Sequence, residues 1–181
     1  MTTYCIHPDT GRDENDGQSA SSPWRSFAPL QNIDLAPGDR VDVLAPGSFG
    51  TSLHVRGVGT ADRPIVIRLA PGRYDMHPRQ LTRRRYHISN CNAEPDGDKA
   101  IALLFDHAKH VRVEGEGARI VCRGKMIELC LDGCDDIAIH GLTFDYHRPT
   151  VSECRCTAAD EHSAELEVHP DSPYRIDAGR L

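Results

Sequence analysis

The sequence predicts an all-β fold, a right-handed parallel β-helix with an N-terminal capping helix, and three observations lead there. Sliding residues 100–149 on themselves by 26 positions pairs Ile101 with Ile127, Leu103 with Leu129, Phe105 with Leu131, Asp106 with Asp132, Val111 with Ile137, Val113 with Ile139 and Gly115 with Gly141. Each copy holds two alternating runs, IALLFD with VRVEG and IELCLD with IAIHG, closed by an acidic residue or a glycine, the pattern of short strands and turns. With 15 Gly, 12 Pro and only 39% hydrophobic residues, the composition suits a turn-rich chain with few helices.

A strand-and-turn unit of this size cannot bury its own apolar face. Stacking such units at the spacing of hydrogen-bonded strands, about 4.8 Å, satisfies the backbone and makes a continuous core. Strands are therefore expected at 101–105, 111–114, 127–131 and 137–144, with Ile101, Leu103, Val111, Val113, Ile127, Leu129, Ile137 and Ile139 turned inward. The right hand follows from the general bias of parallel crossovers.

Taken in order, Tyr4 to His7 is a short strand, followed by HPDTGRDENDGQSASSP, rich in residues that bond to their own backbone. Asp13, Asn15 and Asp16 offer oxygens, but without EF-hand spacing, so a self-capping loop is expected and not a calcium site. A helix is expected from Pro23 to Ile33, with Ser22 as N-cap and Trp24, Phe27, Leu30 and Ile33 on one face, lying across the first coil to cover its strand edges. LAPGD turns into RVDVLAPGSF, where Val41 and Val43 alternate. Next comes GVGTADRPIVIRLAPGRY, with Ile65, Ile67 and Leu69 on one face. Residues 1–181 thus form a single domain: 4–39 supply strand, loop and cap helix, and 40–181 the coils. Residues 76–99 form a surface excursion, and its basic run, Arg83 to Arg85, is expected to be a solvated loop.

Several function classes are excluded or disfavoured. A net charge of −6 argues against a nucleic-acid partner. No stretch reaches the 18 or more apolar residues of a membrane span, and the start lacks the basic and apolar regions of a signal peptide, so the chain as written is expected to be cytoplasmic. The 7 cysteines are an odd number without a paired framework and are expected to be free thiols. Cys130, Cys134, Cys154 and Cys156 are read as apolar filling before they are read as zinc ligands. The 10 histidines show no metal-ligand spacing and no nucleotide-binding glycine loop is present, so no cofactor is expected.

The order D-x-NDG, SPW, PGD-x-V, PGS, PIVI, PG-x-Y over roughly residues 4–75 resembles the N-terminal part of right-handed parallel β-helix proteins that act on carbohydrates. YHISN, GEGARIVCRGKM, LTFDYHRPTVSE and YRIDAGRL, from Tyr86 to the end, are similar to the bacterial α-1,3-galactosidases of glycoside hydrolase family 110, which remove terminal α-galactose from blood-group-B-type structures. That resemblance implies a metal-independent, exo-acting, inverting hydrolase of several hundred residues, whose essential aspartates come from coils beyond Leu181, and a glycan partner with terminal galactose. The spacing around Asn92 to Lys99 and the cysteine-rich strands depart from the family, as does the lack of the signal peptide common among its secreted or periplasmic members. An isolated chain of this kind is expected to be inactive and to self-associate through its open last coil.

Glycoside hydrolysis needs two carboxyl groups, about 5–5.5 Å apart for retention or about 6.5–9.5 Å for inversion. The local candidates are Asp145 and Glu153 as carboxylates and Asp145, His147 and Arg148 as substrate contacts, with an Asp145–Arg148 ion pair holding the turn as the alternative. Glu114 and His140 are expected to stack on the solvated surface, and Asp106 and Asp132 to bond turn backbone. Two other functions compete with hydrolysis: a non-catalytic carbohydrate-binding or structural solenoid, and a polysaccharide lyase, which would need an acidic calcium cluster beside a basic residue. With 6% aromatic residues the chain fits a holder of one terminal sugar better than a grip on a long saccharide.

Overall fold

The computed structural model describes residues 1–88, 96–148, 151–170, 172 and 174–179. Its strands are β1 (Thr3–Ile6), β2 (Asp34–Leu35), β3 (Arg40–Val43), β4 (Ser48–Phe49), β5 (Leu53–Gly57), β6 (Ile65–Leu69), β7 (Gly72–Met76), β8 (Arg83–Arg85), β9 (Asp98–Asp106), β10 (Lys109–Cys122), β11 (Ile127–Asp132), β12 (Asp135–Tyr146), β13 (Cys154–Ala159) and β14 (Ala164–Val168). The chain is nearly all-β, and two curled sheets, parallel apart from β8, enclose the core. In the first, β1, β3, β6, β10 and β12 pair side by side. Strand β10 shifts register between Glu114 and Ala118, so its second half pairs with β7, which in turn pairs with β4. The second sheet runs β2, β5, β9, β11.

The 26-residue offset describes real neighbours. Ile101 faces Ile127, Leu103 faces Leu129 and Asp106 faces Asp132 between β9 and β11, while Val111 faces Ile137 and Val113 faces Ile139 between β10 and β12. The turns after β9 and β11 also bend alike. His107 and Gly133 share a left-handed backbone, at φ 52° and 62°, and so do His110 and Asp136, both at 50°.

Alternation decides the core. Val41, Val43, Ile65, Ile67, Leu69, Val111 and Val113 are buried, as are Ile101 and Leu103. Ile127, Leu129, Ile137 and Ile139 are only half-buried, because β11 and β12 have no further strand beside them among the described residues. Outside, Asp42, Arg68, Glu114 and His140 are register neighbours on β3, β6, β10 and β12, with Arg68 donating to Glu114.

The expected capping helix is absent. Residues 23–33 carry only one short 3-10 turn, Pro29–Asn32, and Ser22 caps nothing there. Pro29 has no N–H to donate and its ring would collide with the preceding turn, so an α-helix through this span is broken at its middle. The apolar residues still point inward, since a spacing of three serves an irregular chain wound over the core as well as a helix: Trp24, Phe27 and Leu30 are buried. Trp24 stacks on Tyr4, with ring centroids 5.1 Å apart, and its Nε1 donates to the Asn15 carbonyl at 2.9 Å. The preceding loop caps itself: Asp13 Oδ1 accepts from the Arg25 and Ser26 amides, and Asn15 Nδ2 donates to the Pro23 carbonyl.

The arginine run is a second correction. It forms β8, antiparallel to β9, and Arg84 is drawn onto the sheet by a carboxylate. Buried Ser52 fixes the base of this strap, accepting from the Thr82 amide and donating to the Ile101 carbonyl at 2.6 Å. Ser89, Asn90 and Asn92, the Pro149 turn and Leu181 lie outside the described residues.

Candidate functional site

Of the residues singled out in the sequence, Asp145 lies on the outward face of β12 and His147 and Arg148 follow it, all three exposed. Asp145 does not pair with Arg148. Arg119, on the neighbouring β10, donates to Asp145 Oδ2, and the Tyr146 amide to Oδ1 at 2.8 Å. The hydrogen bond from Arg119 holds the Asp145 carboxyl below its ordinary range. The same face carries Asp75, which accepts from Arg73 and from Arg123 at 2.7 Å. Burial pushes Asp75 upward, but the two arginines outweigh it and bring the carboxyl down to about 2. Carboxylates pinned by guanidinium groups stay ionised and are unsuited to donating a proton. Glu153 stands at the start of the separate β13–β14 hairpin, its amide donating to Ser172 Oγ at 3.0 Å. His147 and Arg148 thus follow Asp145 at the end of β12, whereas Glu153 lies just before β13 and outside the parallel sheets.

A denser constellation sits at the corner where β2, β5 and β9 leave their sheet. Asp106, at the end of β9, is mostly buried, with 11% of its side chain exposed. His54 Nε2 donates to Asp106 Oδ2 at 3.1 Å, Arg84 donates to the same oxygen, and His107 Nδ1 donates to Oδ1 at 2.9 Å. Burial pushes the Asp106 carboxyl up, yet the hydrogen bonds from His107 and His54 and the Arg84 charge leave it below its usual value. Burial also lowers His54, and the Asp106 contact only partly restores it. One strand over, Tyr86 donates to Asp132 Oδ2. Burial and that carboxylate both raise the phenol.

In front of Asp106 lies a groove of about 490 Å³, lined by Asp34, Leu35, Ala36, Pro37, Arg56, Gly57, Val58, Asp106 and His107. These are the strand ends and turns of three successive layers, so the groove runs across the stack. Gly57, at φ 134°, lets the chain approach closely: a Cβ there would fall 2.2 Å from the Leu35 carbonyl oxygen. Arg56 Nε lies 3.1 Å from Asp34 Oδ1 at the rim. The His107 side chain is 75% exposed, and Asp106, by accepting from Nδ1, leaves Nε2 as the free pole. An ionised carboxylate orienting an exposed imidazole can present a hydrogen-bonding or proton-handling nitrogen to a ligand.

Reading Asp106 and Asp132 as turn-bonding residues missed this cluster, and His54 gave no signal. His107 did: under the 26-residue offset it aligns with Gly133, a bulky side chain where its counterpart is glycine. Among the described residues, no group of three or more His, Cys, Asp or Glu is placed to hold a metal ion, and Cys5, Cys122, Cys130, Cys134, Cys154 and Cys156 are free thiols.

No family model matches the chain. Alpha-1,3-galactosidase A of Akkermansia muciniphila is 34% identical over 178 residues, which is 97% of this chain and 30% of that protein. Alpha-1,3-galactosidase A of Bacteroides fragilis is 33% identical over 119 residues, 64% of this chain and 20% of that protein. Alpha-1,3-galactosidase B of Parabacteroides distasonis is 26% identical over 162 residues, 88% of this chain and 26% of that protein. The chain thus spans less than a third of these curated relatives. Among solved structures, the GH136 lacto-N-biosidase from Eubacterium ramulus matches with a TM-score of 0.55 at 13% identity, covering 80% of this chain and 34% of that one, a likeness of fold.

Proposed function

We propose that this chain is part of a glycoside hydrolase of the alpha-1,3-galactosidase family, glycoside hydrolase family 110, acting on galactose-containing glycans. The observation that carries the reading is the 34% identity over 97% of the chain to a protein named for that activity. In this reading the chain supplies the N-terminal coils of a longer right-handed parallel β-helix, and the enzyme removes terminal α-galactose with inversion. The parallel stacks at 26-residue spacing support the architecture. Exo action is supported by the burial of the single tryptophan, Trp24, which leaves it unable to stack on a saccharide.

In this proposal the acid and base come from outside these residues. Asp145 is held ionised by Arg119 and Glu153 lies just before the separate β13–β14 hairpin, which favours a scaffold and binding role for this part of the protein. The test is galactose release from α-1,3-galactobiose by the chain alone and by a form extended to the length of the relatives, with the anomer of the product followed by NMR. The reading expects turnover from the extended form, β-galactose as first product, and none from the chain alone. An extended form that leaves α-galactosides intact overturns the hydrolase reading and leaves carbohydrate binding as the function.

A further inference from the structure

We infer that the corner groove is a binding site for a neutral saccharide, and that His107 contacts the ligand through Nε2. The first support is the backbone. At the turn after β11 the left-handed position is filled by Gly133, the residue such a conformation favours, whereas after β9 the same position holds a histidine at φ 52°. A side chain kept at a backbone position that disfavours side chains points to a use for it.

The second support is orientation. Asp106 accepts from Nδ1 at 2.9 Å and is itself fixed by His54 and Arg84, so the ring is positioned from behind while most of its surface faces solvent. Among the described residues nothing hydrogen-bonds Nε2. The third is the groove, whose size falls within the usual range for small ligands.

The chemistry of the lining selects the ligand class. Each charge in the groove is countered locally, Asp34 by Arg56 and Asp106 by Arg84, so an ionic ligand gains no net attraction. Leu35, Pro37 and Val58 offer an apolar floor for sugar C–H groups, while His107 and the Asp34–Arg56 pair supply donors and acceptors for hydroxyls. Choosing galactose as the sugar rests on the proposed function; the groove as a saccharide site does not.

The test follows the imidazole nitrogens of His107 by two-bond 1H–15N NMR as α-1,3-galactobiose, maltose or galacturonate is added to the chain. His107→Gly is the matched variant, since Gly133 shows that glycine suits this turn, and thermal unfolding verifies that it folds. The expected result is that galactobiose shifts Nε2, galacturonate does not, and His107→Gly weakens galactobiose binding at least tenfold without lowering Tm. If no neutral saccharide moves the His107 signals, or the glycine variant binds like the parent, the inference fails. Shifts with maltose and none with galactobiose would uphold the saccharide site and overturn the galactose reading.

Discussion

Asp106 and Asp132 are register partners on adjacent parallel strands, and each is held by a different residue of one short segment: Arg84 donates to the first and Tyr86 to the second. The segment from β8 to Tyr86 is therefore a strap laid across two layers of the stack, fastened at its start by Ser52. Removing Arg84 leaves a mostly buried carboxylate short of its guanidinium partner. Because Arg84 is itself partly exposed, Arg84→Ala is expected to cost about 2 kcal/mol and Tyr86→Phe about 1 kcal/mol. Urea unfolding measures both, and values near zero would mean that the strap is not coupled to the sheet.

Acid should loosen the same corner in two steps. The folded value of His54 lies below its unfolded value of about 6.5, so the unfolded chain takes up the proton first. Stability is complete above that pH and declines as pH falls from there to the folded value. The folded value of Asp106 lies below its unfolded value of about 3.9, so its contribution is present above that pH and lost as pH falls through the folded value. His54→Gln keeps a side-chain donor and is expected to abolish the upper step alone. An unchanged pH profile of unfolding free energy in that variant would contradict the assignment.

The parallel stacks are legible in the sequence because their layers share a period of two and an offset of 26 residues, which burial and pairing both enforce. The helix was misread because spacing by three is met as well by a chain wound irregularly over a core, and Pro29 was the residue that decided between them. Arg84 looked like a solvated charge because its partner, Asp106, is 22 residues away and becomes a neighbour only when β8 folds back on β9. Around Asp145, the partner that pins the carboxylate was not legible, because Arg119 comes from another strand 26 residues earlier and becomes a neighbour only when β12 stacks on β10.

Trp24 tests whether the irregular N-terminal segment seals the core. It is buried, stacked on Tyr4, and Gly17 packs so closely that a Cβ there would fall 2.3 Å from the indole ring. Trp24→Ala is expected to cost about 3–5 kcal/mol. Trp24→Phe keeps most of the packing but leaves the Asn15 carbonyl without its donor, at about 1–2 kcal/mol. Equal losses from the two variants in chemical denaturation would locate the stabilisation in the hydrogen bond instead of the ring.

The two equivalent turns make opposite predictions. His107 occupies a left-handed backbone that costs a side chain about 1 kcal/mol, and its bond to Asp106 is made by a ring mostly in water, so little is lost when it is removed. His107→Gly is therefore expected to leave stability unchanged or raise it by up to about 1 kcal/mol. Gly133→Ala imposes the same backbone cost and adds a methyl group 2.8 Å from the His107 ring, which would have to move off the turn. A loss of about 1–2 kcal/mol is expected, together with a shift in the His107 imidazole signals, because the ring that packs against Gly133 is the one Asp106 orients. Should Gly133→Ala destabilise the protein without disturbing His107, the ring would not rest on that turn, and its orientation would depend on Asp106 alone.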